Sequence, residues 1–135
     1  MNALLAAALQ QARRAEKEQA LFYRALAACA EQAGDDQAAE DLNGLLADEQ
    51  HHLSRLTARL LEADQSIANL NDVRAPAVAY PEWQPLARAR EQAEIERYET
   101  LVRLELDTLT AALITEIVAA EREHARTLGG KYMSA

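Results

Sequence analysis

A single cysteine, Cys29, excludes any disulfide within the chain, and with it a structural zinc site built on several thiolates or a four-cysteine iron site. Glycine and proline are scarce as well, four and three in 135 residues, and Pro76, Pro81 and Pro85 fall in one stretch. Turns must therefore be few, and one connection must hold most of the irregular backbone. No apolar run approaches the length of a membrane span. The apolar start at residues 1–9 has no basic segment before it and runs on into Arg13, Arg14 and Glu16 in a helical pattern, so no signal peptide is expected. Basic charge is also short: 14 Lys and Arg against 22 Asp and Glu leave a net charge of −8, which argues against nucleic acid and against an anionic membrane surface. A cytoplasmic protein with neither partner is the expectation, and the lone cysteine suits a reducing compartment.

What remains is helix-former composition. Half the residues are hydrophobic, but aromatics are only 4% and Ala, Leu, Glu, Gln and Arg dominate. One domain spanning residues 1–135 is long enough to bury a core. Apolar residues recur at steps of three and four, which predicts helices over about 2–32, 36–63, 85–106 and 108–128. Gly34 reads as the first stop and Asp35/Asp36 as the next N-cap. Asp107 is read as the cap of the last helix, and Gly129-Gly130 as its end, leaving 131–135 as a frayed tail. Residues 64–84 show no sustained periodicity and form the long connection, which Tyr80 and Trp83 are expected to pin to the helices. At 1.5 Å per helical residue this connection must climb roughly 27 Å, well within its reach. The expected fold is all-α: an up-down four-helix bundle of two short hairpins with one long crossover between helices two and three.

The helices carry acidic residues where they should be apolar. Glu16 lies on the inward stripe of helix one, Glu49 and His52 on that of helix two, Glu91 on helix three, and Glu121 and His124 on helix four. Glu49/His52 and Glu121/His124 are Glu-x-x-His pairs, which a helix aims at one point. The halves also repeat: Tyr23 follows Glu16 by seven residues and Tyr98 follows Glu91 by seven, so each Tyr stands two turns above its Glu. Those hydroxyls read either as core groups in need of a partner or as hydrogen-bond donors to a ligand. Burying four carboxylates without cations is costly, and two divalent metals would relieve the repulsion. A Glu from each of two helices plus a Glu-x-x-His from each of the others is the pattern of ferritin-like di-iron proteins, and carboxylate with one imidazole per metal suits iron or manganese. His51, Glu18, Asp48 and Glu123 lie off the stripes and read as solvated surface; Cys29 reads as inert packing, and Gln19 as core-edge packing or as a hydrogen-bond partner of a ligand.

On Glu16…Tyr23, Glu49-Gln50-His51-His52, Glu91-Gln92-Ala93-Glu94…Tyr98 and Glu121-Arg122-Glu123-His124 the chain resembles the rubrerythrin and ferritin-like di-iron carboxylate family over nearly its whole length, without a rubredoxin domain. The resemblance implies two iron ions, with manganese or a mixed pair as the alternative. It implies Glu49 and Glu121 as bridging ligands, Glu16 and Glu91 as terminal ones and His52 and His124 as nitrogen ligands. Glu94, three residues after Glu91, resembles the additional carboxylate ligand of rubrerythrins, whereas helix one has Gln19 at the equivalent place. The implied activity is reduction of hydrogen peroxide with electrons from a separate donor protein. Ferroxidase or iron-handling activity toward dioxygen is the alternative, and a non-enzymatic bundle with a degenerate site is a third reading. No fifth helix is evident, which disfavours a cage, while Ala-rich outer faces suit a homodimer.

Overall fold

The computed structural model describes residues 1–80 and 82–132. Among them are four helices, α1 (Ala3–Gln32), α2 (Asp36–Glu62), α3 (Trp83–Leu101) and α4 (Thr108–Tyr132), and no strand. Local chemistry sets most of the boundaries. Asn2 Oδ1 accepts from the Leu5 amide (2.8 Å), Asp35 Oδ1 from Ala38 (3.1 Å) and Asp107 Oδ1 from Thr110 (2.9 Å), so three helices start on side-chain caps worth about 1 kcal/mol each. Between α1 and α2 the chain reverses through Gly34 at φ +73°, a conformation glycine adopts without steric cost.

Packing divides the bundle into three layers. At one end, Leu5, Leu9 and Ala12 of α1 meet Leu56 and Leu60 of α2, Tyr98 and Leu101 of α3, and Leu113, Ile114 and Ile117 of α4. At the other, Phe22, Tyr23 and Leu26 meet Leu42, Trp83, Ala87 and Leu128. Each end thus collects the start of α1 with the close of α2, or the reverse, so α1/α2 and α3/α4 are antiparallel hairpins. α1 packs on α2 and α3, and α4 on α3 and α2. The crossover runs the length of the bundle beside α1, held by Arg13 Nη1 to the Ala68 carbonyl (3.1 Å), by Arg14 to Asp72 (2.6 Å) and by Gln10 to the Ser66 carbonyl. Tyr80 donates to Asp35 (3.0 Å), and Trp83 is buried in the second end cluster. This is the four-helix arrangement expected, with its one long crossover.

Two helix limits depart from the periodicity. The third helix, expected over 85–106, starts at Trp83 and closes at Leu101, because residues 102–107 fold over the bundle end and tuck Leu104 and Leu106 against the first apolar cluster. Burial of two leucines outweighs the helix propensity of that segment. The last helix, expected to stop at 128, continues to Tyr132. Gly129 is not a stop there: a Cβ at that position would lie 2.9 Å from Arg88 Nε, so the residue lets α4 lie close to the α3 side chain. The expected tail beyond it is helical at 131–132, and 133–135 fall outside the described residues.

Candidate metal centre

Between the two apolar ends lies a polar middle layer. Glu16 from α1, Glu49 and His52 from α2, Glu91 from α3, and Glu121 and His124 from α4 are all buried, the four carboxylates completely. Their periodic placement on apolar stripes turns them into the bundle interior. They form two overlapping groups, Glu16/Glu49/His52/Glu121 and Glu49/Glu91/Glu121/His124, and within each the donor atoms lie within 4.8 Å of one another. Glu49 and Glu121 belong to both.

Tyrosines from the end clusters reach into this layer across the bundle. Tyr98 Oη donates to Glu16 Oε1 (2.7 Å) and Tyr23 Oη to Glu91 Oε1 (2.5 Å). Each hydroxyl thus serves the glutamate of the opposite hairpin, not the one two turns below it on its own helix. Burial and the neighbouring carboxylates push both phenols well above their ordinary value, so they remain donors.

What is left unpaired defines the site. Both oxygens of Glu49 and of Glu121, Oε2 of Glu16 and of Glu91, and Nδ1 of His52 and of His124 are buried with no hydrogen-bond partner among the described residues. Such a concentration of orphaned acceptors is not tolerated without compensation. In the metal-free protein the compensation is protons. Burial and Glu91 push Glu121 up to about 11, and burial with Glu16 holds Glu49 well above the usual carboxylate range. Glu91 goes the other way: burial would raise it, but the proximity of Glu121 and His124 and the Tyr23 hydrogen bond overcome that and lower it. Burial likewise disfavours charge on His124, yet Glu91, Glu121 and Asp48 outweigh it and raise the imidazole to about 9. Cations would replace those protons. Three carboxylates and one imidazole nitrogen per group, two carboxylates being common to both, fit a pair of divalent metals.

Glu94 stands apart. It is buried, but it belongs to neither group, and its Oε1 is held by Arg97 Nη1 at 2.6 Å. Gln19, its counterpart on α1, is fixed between Arg90 Nε (2.8 Å) and Glu91 Oε1 (3.5 Å). His51 is exposed, and Glu18 and Glu123 pair with Arg90 and Arg126 at the surface.

Asp48 is solvated as expected, its side chain 57% exposed, but it also has a role the sequence did not reveal: its Oδ2 lies 2.8 Å from His124 Nε2. With Nε2 turned to Asp48, Nδ1 is the nitrogen that faces Glu49 (3.4 Å) and Glu91 (3.5 Å), where a cation that displaced its proton would find a lone pair. The only signal in the sequence is an asymmetry, Asp48-Glu49 in one half against Ala120-Glu121 in the other. The His52 ring instead borders a cavity lined in part by Ala120. Asp48→Ala is expected to weaken binding at the Glu49/Glu91/Glu121/His124 group about 10–100-fold while leaving the other group nearly unchanged. A two-step calorimetric titration with Mn2+ checks this; equal weakening of both steps would refute it.

No curated protein and no solved structure matched the chain. The family model of Rubrerythrin matches residues 7–132, nearly the whole chain and all six residues of the buried cluster. The all-α bundle with its single long crossover is accordingly of the ferritin-like kind, and the chain belongs to the rubrerythrin family.

Proposed function

We propose that the protein is a di-iron carboxylate oxidoreductase that reduces hydrogen peroxide, drawing electrons from a separate donor protein. The observation that carries this reading is the sharing of Glu49 and Glu121 between the two ligand groups, an arrangement that would hold two metals as a pair. Family membership supports iron over manganese as the metal proposed here. Bound iron would supply the two electrons that, with two protons, turn one peroxide into two waters, passing from ferrous to ferric.

The chain's own residues have distinct tasks. Glu49 and Glu121 present both oxygens and so can span two metals, Glu16 with His52 and Glu91 with His124 completing the two sets. Tyr98 and Tyr23 each engage Oε1 of a terminal glutamate and leave Oε2 as its free donor. The apolar clusters at both ends keep bulk water away. A cavity of about 260 Å³ between α1 and α3, walled by Glu94 and Arg97, gives a small oxidant an approach to this layer.

Among the described residues no helix is long and apolar enough to cross a membrane. A cytoplasmic setting and a second copy as partner belong to the proposal. The test loads metal-free protein with Fe(II) under argon and compares oxidation by hydrogen peroxide and by dioxygen. Faster oxidation by peroxide, at about two irons per peroxide, is the expected result. Faster turnover with dioxygen and retained ferric mineral would make the protein a ferroxidase instead.

A further inference from the structure

We propose that Arg97 is a positioning residue that parks Glu94 outside the metal-binding cluster, so that breaking their ion pair hands one of the two metals an additional ligand. The proposal rests on the metal-centre reading above and concerns one side of that centre.

Glu94 is divided between two environments. Oε1 is taken by Arg97, whereas Oε2 is buried with no hydrogen-bond partner among the described residues. A buried carboxylate oxygen left without a partner is unfavourable, and a nearby cation is what would satisfy it. Arg97 holds from the outside: its side chain is 40% exposed and stands on the wall of the α1/α3 cavity. The other two arginines on that wall are engaged elsewhere, Arg14 with Asp72 at 2.6 Å and Arg90 with Glu18 at 2.9 Å. Arg97 is therefore the cation that keeps Glu94 in place.

The repeat within the chain supplies an internal comparison. Three residues after Glu91 comes Glu94 and three further comes Arg97; the matching residues after Glu16 are Gln19 and Phe22. Gln19 is neutral and clamped by Arg90 and Glu91, and Phe22 is core. Only the α3 side thus carries a movable charge with a releasable partner. Two divalent ions attract a carboxylate more strongly than one half-solvated guanidinium can hold it, so Arg97 sets a threshold and not a permanent anchor.

The test titrates metal-free protein with Co2+, whose visible absorption weakens as coordination number rises. Arg97→Gln, Glu94→Gln, the double variant and Arg97→Lys are compared with the unaltered chain. Arg97→Gln is expected to tighten one of the two Co2+ steps about tenfold and to lower the absorption per cobalt. Arg97→Lys keeps the charge and should stay near the unaltered protein, and the double variant should match Glu94→Gln alone. Binding and spectrum unchanged by Arg97→Gln, or changes that persist in the double variant, would overturn the proposal while leaving the metal centre standing. Failure of the unaltered protein to bind Co2+ would overturn both.

Discussion

Glu121→Ala is expected to remove both metals at once, weakening the binding of each by at least about a hundredfold, because Glu121 contributes to both ligand groups. Glu16→Ala, in contrast, should weaken only the group it shares with His52. Plasma mass spectrometry of dialysed protein counts the ions retained; unchanged metal content in both variants would end the di-metal reading. A second consequence has the opposite sign. In the metal-free protein Glu121 must hold a proton at neutral pH, since burial and Glu91 raise it to about 11. Glu121→Gln is neutral without having to take up that proton. It should therefore stabilise the metal-free protein by about 1–3 kcal/mol while destabilising the metal-loaded one. Few single substitutions cross sign on loading, so chemical denaturation with and without Mn2+ gives a decisive comparison.

The pH dependence of stability should also reverse when metal binds. Without metal, Glu121 keeps its proton in the folded state up to about 11, whereas its unfolded value is near 4.5. Its contribution is full below that lower value and is lost as pH rises toward the upper one, at about 1.4 kcal/mol per pH unit for each retained proton. Glu94, raised to about 7 by burial and Glu16, acts in the same direction below neutrality. His124, raised from 6.5 to about 9, adds to it above pH 6.5. Glu91 is lowered and opposes them, its contribution being lost as pH falls below the ordinary carboxyl range. The net expectation is a Tm that falls between pH 5 and 9 by about several degrees per pH unit. Metal ligands must be deprotonated, so with saturating Mn2+ the Tm should rise over the same range. At a free metal concentration about a thousandfold above Kd each site adds about 4 kcal/mol, which for a domain of this size is about 10 °C or more. Parallel pH profiles with and without metal would refute the assignment.

How far this architecture could be read from the chain depended on the range of each interaction. The acidic stripes were legible because helical periodicity is local, and because Glu16/Tyr23 and Glu91/Tyr98 repeat at one spacing. The Gly34–Asp35 turn and the Asp107 cap were legible for the same reason, since each needs only a few neighbouring residues. The close of α3 at Leu101 was not, because it depends on Leu104 and Leu106 finding the far end of the bundle. Gly129 looked like a stop until Arg88 was placed against it. Asp48 and Arg97 lie off the inward stripes, so periodicity assigns them to water; what matters for each is a partner at the site. Which hairpin a tyrosine serves is likewise a tertiary fact.

Neither ligand group is confined to one hairpin: the first draws on α1, α2 and α4, and the second on α2, α3 and α4. The only continuous chain between those hairpins is the crossover beside α1. An ion at either position would therefore be a rivet between two halves that the crossover joins covalently and the two apolar clusters hold by packing. Each hairpin supplies three of the four ligands of one group and the other hairpin the fourth, so a complete set exists only once the halves have closed on each other. Full occupancy would then report finished assembly, and a chain caught half-closed would offer a cation only an incomplete set of ligands.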